Sequence, residues 1–435
     1  MDKKTLGVIV GLTFATLGLS YSQSDSREVY RARPGDTFNE IYEDYGGNLS
    51  LEEFKKLNNK LLMDNGSFDK LDVGVEIYIR KNSEKVLEDM NGEISRNNSV
   101  IGEKRSTDSE YLSELLGEDI LDFLESGKGD IVNGGFKKYV YGNIVEGLSN
   151  HVKDNSNIKE ESLVVIDNII QDYIGMAPQS INNSRPLGDF GNYYSNLNLM
   201  LGVYKEISGS DKYKDLNTRI TKHLVQNSGE ENNFHFPSYP NEERAWPSDQ
   251  AFVLHTINLY NKNYNTDFGE GLIKEWEEFI LENNIDKETG LPITDVNRVS
   301  SVSLNPRGSA TSYLIMYTSK FDKELAKKWW SNFENSDFLA DFGFISGFKE
   351  YLSSDRNPDV DSGPIIFGIG SSATALGIGA AYSVGDDYTG DKLSLLVDAG
   401  KLYSKIVGGE IENLSSDIVA KAIEFNMESM KYSLE

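Results

Sequence analysis

Ser109-Glu110-Tyr111-Leu112-Ser113-Glu114-Leu115-Leu116-Gly117-Glu118-Asp119-Ile120-Leu121-Asp122-Phe123-Leu124 repeats its apolar residues with the period of a helix. Leu112, Leu115, Leu116, Ile120, Phe123 and Leu124 fall on one face, because positions three, four and seven apart meet on a helix surface. The same spacing returns over 136–148, 158–173, 193–208, 212–226, 248–260, 271–283, 309–318, 323–333, 373–384, 392–407 and 415–432. Few stretches alternate with a period of two, which disfavours a sheet-based core. About a dozen such helices, joined by turns and longer loops, predict a mainly α domain over 109–435: an (α/α) toroid of antiparallel hairpins. No internal sequence repeat is strong enough to name.

The chain has 435 residues, with 43 Lys and Arg against 69 Asp and Glu, a formal charge of -26. Such a surface repels phosphate backbones, so no nucleic-acid partner is expected. There is no cysteine, which excludes disulfides, thiolate metal sites and cysteine nucleophiles and is compatible with an oxidising compartment. Lys3 and Lys4 precede an apolar run from Leu6 to Leu19, and small residues at Ser20 and Ser22 fit a cut after Ser22. That is the three-part pattern of a secretory signal peptide over 1–22, too short for a comfortable membrane span. The expectation is an exported protein, periplasmic, secreted or at the cell surface, with an uncleaved N-terminal anchor as the alternative.

Between 28 and 80 the reading changes. Val29-Tyr30-Arg31-Ala32-Arg33-Pro34-Gly35-Asp36-Thr37-Phe38 reads as a short strand and turn, with Asp36 or Thr37 capping a helix over 38–45. A second helical stretch covers 51–57, and Leu71 to Ile79 closes the unit as turn and strand. Strand, helix, helix, strand, with Pro34-Gly35-Asp36-Thr37 at the start and Asn58 after the second helix, resembles a LysM domain. That resemblance implies a small α+β domain binding N-acetylglucosamine-containing glycans. Its groove would lie at Gly35, Asp36, Thr37 and Phe38 and across 62–69, where residues 63–69 form an acidic insert longer than the usual loop. From 81 to 108 polar and charged residues dominate, as in a linker.

In the helical region the unusual residues sit in the longer loops. Trp246-Pro247-Ser248-Asp249 places proline and a carboxylate in a first helical turn, where both are favoured. Arg307 stands at a helix start against the dipole preference, which calls for a carboxylate partner or an anionic ligand; Glu350, Asp359 and Asp361 are the available partners. Asp359 and Asp361 lie two apart before Pro364, in a glycine-rich loop leading to a small-residue helix. Asp249, Asp359, Asp361 and Glu350 are the candidate acids and bases. His235, Tyr239, Arg244, Trp246, Arg307 and Tyr313 are the candidate substrate contacts, with flat aromatic faces suited to stacking on sugars. His235 is the single histidine of this set and no HExxH is present, so neither a metal nor another cofactor is expected.

Trp246-Pro247-Ser248-Asp249, Pro306-Arg307-Gly308-Ser309-Ala310, Gly347-Phe348-Lys349-Glu350-Tyr351 and Asp359-Val360-Asp361-Ser362-Gly363-Pro364 together resemble the linalool dehydratase/isomerase-like group of (α/α)6 proteins, over about residues 180–385. The resemblance implies the toroid and a central cavity. Three functions follow as expectations. The first is carboxylate acid/base chemistry, as hydrolase or lyase, on a cell-envelope glycan such as peptidoglycan or on an extracellular polysaccharide. The second is a non-catalytic envelope scaffold or receptor. The third is a lyase on an isoprenoid, with an apolar cavity lined by Phe344, Phe348, Ile365, Ile366 and Phe367. Oligomeric state is left open.

Overall fold

The computed structural model describes residues 107–126, 134–177, 181, 185–297, 305–353, 356–359, 361–366, 368–407 and 418–433, with four short strands before them. The chain divides into two units, one spanning 21–105 and the other carrying 106–435.

In the first unit, β1 (Glu28–Arg31) pairs antiparallel with β4 (Glu76–Ile79), Glu28 opposite Ile79 and Arg31 opposite Glu76. A second hairpin joins β2 (Gly66–Ser67) to β3 (Lys70–Leu71), within and just after the stretch read as an acidic insert. The two expected helices, the proposed groove at Gly35, Asp36, Thr37 and Phe38, and the N-terminal apolar run lie outside the described residues. Among the described residues, no helix is long and apolar enough to cross a membrane.

The second unit contains the expected helices, in chain order α1 (Thr107–Ser126), α2 (Gly134–Asp154), α3 (Lys159–Gly175), α4 (Gly191–Ser208), α5 (Lys214–Gln226), α6 (Pro247–Tyr264), α7 (Glu270–Asn283), α8 (Gly308–Thr318), α9 (Lys323–Glu334), α10 (Ser371–Val384), α11 (Asp387–Val407) and α12 (Ile418–Ser429). The even-numbered helices close a ring: α2 packs on α4, α4 on α6, α6 on α8, α8 on α10, α10 on α12, and α12 back on α2. Odd-numbered helices back the ring from outside, α3 against α2 and α4, α5 against α4 and α6, α9 against α8 and α10, α11 against α10. Trp276 of α7 packs edge-on against Trp329 of α9, both wholly buried. This mainly α, long-range helix packing is that of an (α/α) toroid.

Patterning explains which helix goes where. Residues 196–203 of α4 are all buried, more than two full turns, so that helix has neighbours on every side. In α9 burial is confined to Leu325, Ala326, Trp329, Trp330 and Phe333, one stripe facing the core, and the Asp322 side chain caps its start at Leu325 N. Close approach inside the ring needs a missing side chain at Gly379 of α10, where a Cβ would sit 2.4 Å from the Met427 sulfur and 2.8 Å from that of Met316. The founding stretch in α1 buries Leu112, Leu116, Ile120 and Phe123 as expected, but Gly117, at φ 72°, breaks it into two helical pieces.

Candidate functional site

Because inner and outer helices alternate, the inner helices run in one direction, and the described segments before α4, α6, α8 and α10 lie at the same end of the ring, its mouth. Contacts connect those starts. Asn192 N, in the first turn of α4, donates to Ser238 O (3.3 Å) in the loop before α6, and Gly191 N donates to Pro237 O (3.0 Å). Gly308 N at the start of α8 donates to Glu350 O (2.9 Å) in the segment before α10.

Two groups of side chains result. The first is built on Arg307, the residue preceding α8. Its Nε donates to Glu350 Oε1 at 2.5 Å, and Nη1 and Nη2 donate to Asp359 Oδ2 and Oδ1 at 3.0 and 2.8 Å. Glu350 also accepts from Ser309 Oγ (2.7 Å) and Ser309 N (3.3 Å). Burial raises the Glu350 pKa, with Arg307 and Ser309 opposing. Asp359 Oδ1 accepts Ser362 N (2.8 Å) and Asp361 N (3.1 Å), while Tyr351 OH donates to Oδ2 (3.2 Å). Burial disfavours the Asp359 carboxylate, but Arg307, Ser362 and Tyr351 outweigh it and hold the pKa below its ordinary value. Arg307 therefore finds its carboxylate partners within the chain, and both Asp359 oxygens are engaged in holding the loop.

The second group surrounds Asp249, in the first turn of α6 behind Pro247. Its Oδ2 accepts Ser238 Oγ at 2.6 Å. Desolvation raises the Asp249 pKa and the charge of Asp361 adds to it, against Ser238, Lys138 and Asn192. Asp361 itself is exposed. Lys138 of α2 sets its ammonium 4.9 Å from the Tyr139 ring and 4.8 Å from that of Tyr239, and burial lowers its pKa against the pull of Asp249. Tyr239 OH lies 3.4 Å from Tyr139 OH, and Trp246 stands edge-on to Tyr239 at 6.2 Å. Tyr239 is 42% exposed, leaving an aromatic face at the rim. Arg244 turns outward to Glu242 (3.2 Å) and over the Trp246 ring (5.5 Å), so Glu242 is its ion-pair partner.

Tyr313 of α8 stands between this mouth and the ring interior. Burial first, then Asp249 and Glu146, raise its pKa, and its ring packs on Tyr317 at 4.7 Å. Glu146 of α2 accepts from Tyr317 OH (2.7 Å) and Asn426 Nδ2 (2.8 Å), and His255 of α6 approaches it at 3.7 Å. Burial, together with Lys320, Lys262 and Lys153, pushes the His255 pKa well down, so this ring is neutral. His235, expected at the site, instead lies buried against Phe279 of outer helix α7 with Nδ1 2.6 Å from Asn233 O; the histidine inside the ring is His255.

Lys138, Tyr139, Asn192, Ser238, Glu146 and His255 are contributions the sequence reading missed. Glu146 and His255 carried a signal, since a charged or ionisable residue amid the apolar positions of a helix is costly unless partnered. The apolar lining expected for an isoprenoid does not form as expected. Phe348 is wholly buried and stacks on Phe333 of outer helix α9 at 4.1 Å, and Phe344 is 58% exposed; Phe367 lies outside the described residues. Among the described residues, the one acidic cluster spaced for a cation is Asp398, Glu424 and Glu428, on α11 and α12.

No protein-family model matches the chain, and no curated protein does. Among solved structures it is similar to a novel alpha-amylase from Clostridium perfringens, at 14% identity over 66% of this chain and 86% of that one, with a TM-score of 0.43. An unsaturated glucuronyl hydrolase specific for heparin aligns at 9% identity over 68% and 86%, TM-score 0.43. An alpha-1,6-mannanase from Salegentibacter sp. HEL1_6 aligns at 10% identity over 68% and 90%, TM-score 0.45.

Proposed function

We propose that the helical ring is a glycoside hydrolase acting on a cell-envelope or extracellular glycan at the mouth where its inner helices start. The observation that carries this is Asp249: a carboxyl whose pKa is raised by burial and by Asp361, beside an exposed aromatic face. A raised carboxyl retains its proton to higher pH and can donate it to the glycosidic oxygen as the C–O bond breaks. Exposed Asp361 takes a proton from the water that adds at the anomeric carbon. Tyr239 and Trp246 stack on the sugar. Asp359 and Glu350 hold Arg307 and the loop bearing Asp361 rather than moving protons, which revises their expected roles. A lyase on uronic acids fits less well, because Arg307, the residue expected to engage a substrate's acidic group, is held instead by Glu350 and Asp359. In this reading the chain is exported and the 28–80 unit, LysM-like, holds the polymer.

The test is product release from mannan, starch, chitin and peptidoglycan by purified protein, followed by reducing ends and mass spectrometry. Activity on one of them is expected, lost by at least about a hundredfold in both Asp249→Asn and Asp361→Asn. Absence of product from every glycan, with folded protein, overturns the proposal.

A further inference from the structure

Lys137 and Lys138 stand side by side in the opening turns of α2, whose first turn carries no acidic residue. A cation near a helix start is unfavourable without an anion to meet it. Lys137 has one, its Nζ 2.7 Å from Asp172 Oδ2. Lys138, half-buried, does not: among the described residues no carboxylate stands within ion-pair distance of its ammonium, which rests over the Tyr139 and Tyr239 rings at 4.9 and 4.8 Å. Aromatic faces attract the charge but offer it no acceptor oxygen. Asp249 acts on it through space alone, and burial outweighs that attraction. The loop after Glu350 brings a second cation of this kind. The Arg356 guanidinium lies 5.3 Å from the Tyr351 ring, which Arg307 also approaches at 5.3 Å. Arg307 is held by Glu350 and Asp359, whereas exposed Arg356 forms no ion pair among the described residues. Tyr351 OH donates to Asp359, whose other oxygen accepts Asp361 N, so Arg356 belongs to the loop that carries the proposed base.

We infer that the glycan taken at this mouth is acidic, the carboxylate or sulfate of one sugar being received by the Lys138 ammonium beside Asp249, with Arg356 as the second cation of the mouth. The inference rests on the proposed glycan site and deepens it by naming the substrate class. An anion gives Lys138 the charged acceptor that Tyr139 and Tyr239 cannot supply. It also acts on the acid. Lys138, Ser238 and Asn192 favour the Asp249 carboxylate, while burial and Asp361 oppose it. A further negative charge beside Lys138 opposes ionisation more, so Asp249 keeps its proton while an acidic sugar is bound. With Asp249 protonated, Asp361 is set against two cations, Lys138 and Arg356, and an anionic sugar meets attraction.

Calorimetry with the full chain tests this on matched pairs of oligosaccharides. The pairs are oligogalacturonate and its carboxyl-reduced form, peptide-free peptidoglycan strands and their carboxyl-reduced form, and a carrageenan tetrasaccharide and its desulfated form. At least one acidic probe is expected to bind at least about tenfold tighter than its neutral form, the range of one charged hydrogen bond, and which probe does so separates carboxylate from sulfate. That preference should fall about tenfold in Lys138→Met, fall by a smaller factor in Arg356→Ala and survive in Lys138→Arg. The melting temperature of Lys138→Met should not drop, because the ammonium has no ion pair to lose. A lysine needed only for the fold would instead lower the melt and weaken acidic and neutral probes alike, which overturns the inference. Acidic probes that bind no tighter than their neutral forms, a preference unchanged in Lys138→Met, or no binding by any probe overturns it too. Cleavage confined to neutral glycans would overturn the inference and leave the hydrolase reading standing. Binding of an acidic probe that depends on Lys138, without hydrolysis of any polymer, would sink the hydrolase reading and leave the subsite standing.

Discussion

Glu350 Oε1 accepts the Arg307 Nε at 2.5 Å, and the Glu350 side chain is wholly shielded from solvent. A charge removed so completely from water is tolerable only because Arg307 and Ser309 meet it. Arg307→Ala should therefore cost about 3–5 kcal/mol in urea unfolding. The double change Arg307→Ala with Glu350→Gln should recover part of that, since no buried charge is then left alone. A cost below about 1 kcal/mol for the single change would place the pair among weak surface bridges.

Gly308 holds the same joint from the backbone side. A Cβ there would stand 2.1 Å from Lys349 O, a backbone atom that cannot swing away. Gly308→Ala should destabilise by at least about 1–3 kcal/mol through overpacking and shift the Arg307–Glu350 pair. The check is the melting temperature together with the activity defined above. An alanine variant as stable as the wild type would contradict the packing described for this joint.

Asp249 gives the pH prediction for the site. Burial raises its pKa, Asp361 raises it further, and Ser238 opposes them. Removing the Asp361 charge with Asp361→Asn should lower the Asp249 pKa, and removing a donor to the carboxylate with Ser238→Ala should raise it. If Asp249 is the acid, activity falls as pH rises through its pKa, so Ser238→Ala moves the alkaline limb of kcat/KM to higher pH. Carboxyl-carbon NMR reads the titration directly, and a shift of the opposite sign in either variant would break the argument.

Stability should also depend on pH through two outer-ring carboxyls. Burial, then Asp322, pushes the Glu277 pKa up to about 7, and burial, then Asp386, pushes Glu334 up to about 7. In the unfolded chain both titrate near the ordinary glutamate value of about 4.3. Between those values the folded state binds more protons, so this contribution is present below about pH 4.3 and lost as pH rises through about 7. Urea midpoints should fall between pH 5 and 8, and less steeply in Glu334→Gln. An identical slope in that variant would remove Glu334 from the account.

Asp359 and Asp172 act in the other direction at the acid end. Burial opposes both carboxylates, but Arg307 on Asp359 and Lys137 with Tyr141 on Asp172 hold their pKa values below the ordinary aspartate range. Their stabilisation is present above about 3.9 and lost as pH falls through the lowered folded values. Acid unfolding should therefore begin at a higher pH in Lys137→Met, read by circular dichroism; an unchanged acid midpoint would count against the pair.

The helices were legible because each is written locally: a period of 3.6 in α9 or α1, a proline at the first position of α6, an aspartate cap before α9. The need for an anion beside Arg307 was legible too, since a cation at a helix start is unfavourable without one, and the candidate partners included the right two. What the sequence by itself did not determine was which loops meet. His235 and Asp249 are close neighbours in the chain, yet one packs on outer helix α7 and the other faces Ser238 and Asp361, because the loop between them crosses from the outer to the inner ring. Asn192, Lys138 and Tyr139 join Asp249 from α4 and α2, about 55 to 110 positions away in the chain, a juxtaposition that helical period does not encode. Only closure of the ring, α12 against α2, sets those distances, and through burial it sets the protonation of Asp249 and His255.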